Sequence, residues 1–165
     1  MSYFDNSKQT ELVTGASPFG LSAILSQFTP GKRDRKIVAY ISRSLSDVEK
    51  RYSQTEREAL AIVWAMEKLH LYLSGGKFTL LTDCKPIQMI LNNPASRPPA
   101  RIERWYLRVQ DFDFDVVYLK GTENPFDFLS RHLQARPNVN NIQFEHIAEQ
   151  YVNFLTEHAV PKAMS

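Results

Sequence analysis

Seven consecutive apolar residues, Leu60 to Met66, sit between a helix start and a helix stop. Upstream, Ser53 and Glu56 have the spacing of a capping box, in which each side chain satisfies a free backbone N–H of the first turn. Downstream, Gly75-Gly76 supplies a left-handed stop. A helix that is apolar on every side must be covered on every side. The stretch from Tyr52 to Gly76 therefore predicts one long central helix, around which the rest of the chain packs. Glu58 is the exception within it. At helical spacing it shares a stripe with Ile62, Ala65 and Leu69. A carboxylate in line with core residues is paired, held at the rim of the core, or bound to a metal.

The segments on either side of this helix read as strands and shorter helices. Residues 9–14, 19–27 and 36–42 have strand patterns, separated by the turn-like Gly15-Ala16-Ser17-Pro18 and by the basic loop TPGKRDRK at 29–36. After the helix, residues 77–82 form a strand that ends at Asp83, and Pro86 opens a short helix through Leu91. The breaker NNPASRPPA precedes a helix over 101–110, with Ile102, Trp105, Tyr106 and Val109 on one side. A strand over 113–120 and a short helix over 125–131 follow. Three meander strands, then strands separated by helices, imply an α/β (α+β) mixed sheet of five strands flanked by helices. Residues 1–132 make one domain; residues 133–165 read as a linker and an amphipathic helical tail carrying Phe144, Ile147, Ala148, Tyr151, Val152 and Leu155.

Length and composition set the outer limits. A chain of 165 residues suits one domain with a core of ordinary size. A net charge of +2 does not by itself announce a nucleic-acid binder. No apolar run approaches the roughly 20 residues of a membrane span. The opening MSYFDNSKQTEL lacks the apolar segment of a secretory leader, so an intracellular protein, cytoplasmic or nuclear, is expected. The single cysteine, Cys84, excludes an intrachain disulfide.

Three acids stand at element ends or in the core: Glu58, Asp83 and Asp127. Oxygen-only ligands of this kind suit hard cations such as magnesium or manganese. Acids at element ends also serve as caps, turn residues or surface charges, and spacing alone leaves both readings open. Arg101, Arg104 and Arg108 form a basic stripe, with Arg97 upstream and Lys32, Arg33, Arg35 and Lys36 in the early loop. Such a stripe tracks a phosphate backbone or is simply a solvated helix face. Trp64, Trp105 and Tyr106 fall on apolar faces and read as core, and Cys84 reads as a packing thiol without a spaced partner. His70, His132, His146 and His158 lack zinc-ligand spacing.

Taken together, GASPFGLSAILSQ (15–27), VAYISRSL (38–45), the long segment at 51–87, RIERWYLRVQDFDFDVVYLKGTEN (101–124) and PFDFLSRH (125–132) resemble the ribonuclease H domain of gypsy-type LTR retrotransposon polyproteins. The resemblance covers nearly all of residues 3–132. It implies the ribonuclease H-like fold and hydrolysis of the RNA strand of RNA–DNA hybrids by four carboxylates and two divalent ions, magnesium or manganese. Partners would be the hybrid and the polymerase and integrase regions of a polyprotein, with the tail as the start of the connector toward integrase. Carried over residue by residue, the ligand positions are Glu58, Asp83, Asp127 and Gly15. At Gly15 the family's first aspartate is missing, and in such sites that acid bridges both ions. Thr14 and Ser17 beside it are neutral and cannot replace its charge. Cys84 stands where the family usually has histidine, and Phe126 where it usually has alanine. The resemblance thus implies a retained fold with weakened metal binding and little or no hydrolysis. A host-domesticated, non-catalytic module that binds nucleic acid or protein is the alternative. Asn124 is expected to fix the loop ahead of Asp127.

Overall fold

The structure is a computed structural model that describes residues 2–120. Three strands, β1 (Gln9–Ala16), β2 (Gly20–Phe28) and β3 (Lys36–Ser44), form an antiparallel meander. A single 3-10 turn, Glu49–Arg51, leads into α1 (Gln54–Lys68) and the short α2 (His70–Leu73). Then come β4 (Phe78–Thr82), α3 (Lys85–Asn92), α4 (Ala100–Leu107) and β5 (Phe114–Tyr118). The sheet order is β3-β2-β1-β4-β5, with β1 parallel to β4 and β4 parallel to β5. The expected five-stranded mixed sheet is present. The helix expected over 125–131, the linker and the tail helix lie outside the described residues.

The capping box forms as the spacing predicts. Glu56 N–H donates to Ser53 Oγ at 3.2 Å, and Ser53 N–H donates to Glu56 Oε2 at 2.9 Å. Ala59 through Val63, with Ala65 and Met66, are buried, packed against β1, β2, α3 and α4. The helix does not run unbroken to Gly76. It ends at Lys68, and Leu69 leaves helical geometry at φ −99° and ψ 17°. The break turns both Leu69 and Leu73 into the core beside Phe78 and leaves Leu71 in solvent. Gly75 then reverses the chain at φ 83°, as its position after the helix implies.

The helix expected over 101–110 is likewise shorter. After Leu107 the chain tightens into successive three-residue turns, Arg108 N–H to Trp105 O at 3.0 Å and Val109 N–H to Tyr106 O at 3.1 Å. These turns bury Val109 and bring Phe112 edge-on to Phe78, 6.4 Å between ring centres. Phe114 stacks on Phe78 at 5.5 Å and Val116 packs on the same core, while Tyr118 ends the strand in a more open setting.

The β1–β2 turn is set by Ser17, whose Oγ accepts from Gly20 N–H at 3.1 Å and Phe19 N–H at 3.2 Å. Gly20 pairs with Ser44 so closely that a Cβ there would lie 2.9 Å from the Arg43 carbonyl oxygen. That neighbour is backbone and cannot step aside. Gly20→Ala is therefore expected to destabilise the domain by about 1–3 kcal/mol, through forced separation of β2 and β3. Urea unfolding checks this, and an unchanged midpoint would show that the strand pair has slack.

Candidate active site

The site grows from the end of β1. The parallel register sets Glu11 against Thr79, Leu12 against Leu80 and Val13 against Leu81. Continued by two residues, it brings Gly15 level with Asp83, just beyond Thr82 at the end of β4. Strand ends in such sheets are where loops gather and chemistry is placed. Thr82 shapes this end: its Oγ1 accepts from Cys84 N–H at 3.2 Å, and its carbonyl accepts from Leu119 N–H at 2.8 Å.

Glu58 arrives from α1, which packs on β1. It is only 4% exposed, in line with buried Ile62, Ala65 and Leu69 as the sequence stripe requires. Its Oε1 accepts from Gln54 Nε2 at 2.8 Å, and the Ala16 N–H faces the carboxylate. Its Oε2 is buried and takes no hydrogen bond among the described residues. Burial, and then the negative charge of Asp83, push the Glu58 carboxyl up to about 8, against the opposing pull of Gln54, Ala16 and Arg57. Glu58 and Asp83 thus stand close enough to feel each other's charge. Asp83 is half-buried.

Gly15 contributes no side chain. Ser17 is occupied by the turn, and the Thr14 hydroxyl is buried without a partner among the described residues. Asp127, with Phe126 and Asn124, lies outside the described residues. Among those residues no three His, Cys, Asp or Glu side chains gather into a metal-binding group. The two acids that feel each other's charge are oxygen donors, and the buried Oε2 of Glu58 takes no hydrogen bond among the described residues. That donor set fits a hard divalent cation in type and falls short of a two-ion set in number.

Cys84 packs against the core, and burial raises its thiol above the ordinary range, which keeps it protonated and unreactive. Trp64, Trp105 and Tyr106 also pack against the core as their helix faces imply. Tyr106 is pushed up by burial as well, and its hydroxyl has no partner among the described residues.

The arginine stripe divides. Arg101 pairs with Glu56 at 3.0 Å and lies 4.3 Å over the Tyr52 ring. Arg108 makes a two-pronged pair with Glu67, at 2.8 and 2.7 Å. Both tie α4 to α1. Arg104 is exposed and makes no ion pair among the described residues. In the early loop, Arg35 is committed to Glu11 and Ser26 and stacks over Phe28, while Lys32, Arg33 and Lys36 carry no ion pair among the described residues. Sequence reasoning does not single out Gln54 and Arg57. The signal for Gln54 is its four-residue spacing from Glu58, which places the two one turn apart on one helix face.

A family model described as the RNase H-like domain found in reverse transcriptase matches residues 5–112. The chain is 37% identical over 147 residues to the retrovirus-related Pol polyprotein from transposon 297 of Drosophila melanogaster, covering 88% of this chain and 13% of that protein. It is 40% identical over 126 residues to the corresponding polyprotein from transposon opus of the same organism, covering 75% of this chain and 12% of that one. The chain therefore spans only a small part of the curated relatives it matches. Among solved structures, the fold is similar to foamy viral protease–reverse transcriptase dRH in complex with double-stranded DNA, with TM-score 0.58 and 17% identity over 73% of this chain and 22% of that one. It is also similar to RNase H1 from the halophilic archaeon Halobacterium salinarum, with TM-score 0.52 and 14% identity over 70% of this chain and 89% of that one. Foamy viral protease–reverse transcriptase is also a structural neighbour in its complex with an RNA/DNA hybrid, at TM-score 0.53 and 18% identity over 72% of this chain and 16% of that one. The chain belongs to the RNase H-like domain family found in reverse transcriptases, in the form carried by retrotransposon Pol polyproteins.

Proposed function

We propose that this domain binds RNA–DNA hybrids at the β1–β4 end of its sheet and is a hybrid-specific endonuclease whose hydrolytic step is impaired by Gly15. The observation that carries the reading is the electrostatic coupling of Glu58 to Asp83 there, with a buried Glu58 oxygen that takes no hydrogen bond among the described residues. Glu58, Asp83 and Asp127 would hold magnesium or manganese. When bound, the metal supplies charge stabilisation at the cleaved phosphodiester and activates water. The chain's own part is to hold Glu58 buried and Asp83 half-buried, where water screens their charges poorly. Gly15 cannot offer a third carboxylate between them. The non-catalytic alternative rests on that same vacancy. Polymerase and integrase regions would be covalent neighbours, a reading supported by the relatives' being Pol polyproteins, and no described helix is long and apolar enough to cross a membrane.

The test is side-by-side cleavage of an end-labelled hybrid, in magnesium and in manganese, by this chain and its Gly15→Asp variant. Cleavage by both would show that another group replaces the missing acid. Binding without cleavage by either would leave the non-catalytic module standing. The arginine stripe has its own readout. Arg104, the member of the stripe without an ion pair among the described residues, is expected to contact phosphate, so Arg104→Ala should lower the log–log salt slope of hybrid binding by about 1. A slope unchanged from the parent would mark Arg104 as solvated only.

A further inference from the structure

We infer that Gln54 is a positioning residue that locks Glu58 to the end of β1 and fixes which of its oxygens faces a metal. The inference rests on the reading of Glu58 as a metal ligand. One amide makes three bonds across two elements. Gln54 Nε2 donates to Glu58 Oε1 at 2.8 Å and to the Ala16 carbonyl at 3.2 Å. Its Oε1 accepts from Arg57 at 2.7 Å. Arg57 can only donate and the Ala16 carbonyl can only accept, so the amide has one workable orientation. The side chain therefore cannot flip without losing all of its partners at once.

This arrangement sets the chemistry of Glu58. Oε1 already accepts from the amide, while Oε2 is buried and takes no hydrogen bond among the described residues. The two oxygens of Glu58 are thus unequal, with Oε2 keeping its full accepting capacity, and the carboxyl is held in orientation by an amide anchored on the backbone next to Gly15. Gln54 is itself exposed at the start of α1, with little packing of its own to lose. Its value lies in orientation. Partners one shell out from a metal fix the ligand's angle, and their removal lowers metal affinity by about 10- to 100-fold. An exposed amide belongs at the lower end of that range.

The test uses the full chain with Gly15→Asp and manganese alone as the probe, followed by electron paramagnetic resonance of the free ion. Gln54→Met keeps length and helix propensity but cannot donate, and is expected to weaken manganese binding about tenfold. Arg57→Ala should weaken it in the same direction, and the double variant should be no worse than Gln54→Met, since both act through one amide. Equal affinity in Gln54→Met, or additive losses in the double variant, would overturn the inference. A second readout needs no metal: in the chain with Gly15, the Ala16 amide resonance should shift on Gln54→Met while the melting temperature holds. A fixed resonance would refute the clamp. Failure of the Gly15→Asp protein itself to bind manganese would appear in a different sample and would overturn the metal-ligand reading beneath it.

Discussion

Gly15→Asp is expected to cleave an RNA–DNA hybrid in magnesium about a thousandfold faster than the chain with glycine, a difference of ~4 kcal/mol in the barrier. The size follows from what position 15 would add. The parallel register carries it level with Asp83, and the Ala16 N–H beside it already faces Glu58. A carboxylate there would stand between two acids whose mutual repulsion already helps hold Glu58 in its protonated form. Without a cation, a third negative charge is unfavourable; with one, all three charges are neutralised together. The variant's cleavage should therefore depend steeply on metal concentration. Equal, metal-dependent rates in the two proteins would mean that the glycine is not the defect.

The second large effect concerns stability in the absence of metal. Glu58 titrates near 8 in the folded chain, against an ordinary glutamate value of 4.5. Below the lower value both folded and unfolded chains carry the proton. Between the two, the unfolded chain is ionised and the folded chain is not, so unfolding releases a proton. Stability is thus fully present at low pH and is lost as pH rises toward the folded value. The loss is on the order of 3–5 kcal/mol over this window, at 1.36 kcal/mol per unit of difference. Glu58→Gln removes the proton exchange. Urea midpoints in chelator, at about pH 5 and about pH 9, should fall with pH in the parent and stay nearer level in the variant. Comparing the two cancels the slopes of all other groups. Parallel curves would show that Glu58 is ionised and well solvated in the folded state.

Much of this architecture is legible in the amino-acid sequence, for local reasons. Ser53 and Glu56 announce the start of α1 because a capping box is a matter of a three-residue spacing. Glu58 declares itself buried because its helical neighbours Ile62, Ala65 and Leu69 are all apolar. What escapes is whatever depends on distant partners. The break at Leu69 lies where Leu69 and Leu73 share the core with Phe78, and nothing within the helix signals it. The basic stripe on α4 looks uniform in sequence, yet Arg101 finds Glu56 45 residues away and Arg108 finds Glu67 41 residues away. Those pairings depend on how α4 lies against α1. Gln54 is hidden differently: an uncharged amide at a helix start has many uses, and only the position of the Ala16 carbonyl selects among them.

Gly15 sits in a strand that is paired on both sides, to β2 through Ser22 and, two residues earlier at Val13, to β4. Those ladders are made by backbone atoms, so a glycine at 15 leaves the hydrogen-bonded frame in place. An aspartate codon becomes a glycine codon by one base change. Selection acting only on a folded, soluble domain would be nearly blind to that step, because the strand needs no side chain there. If the proposed reaction needs an acid at position 15, the central strand lets heredity separate two traits, the shape of the domain and that reaction.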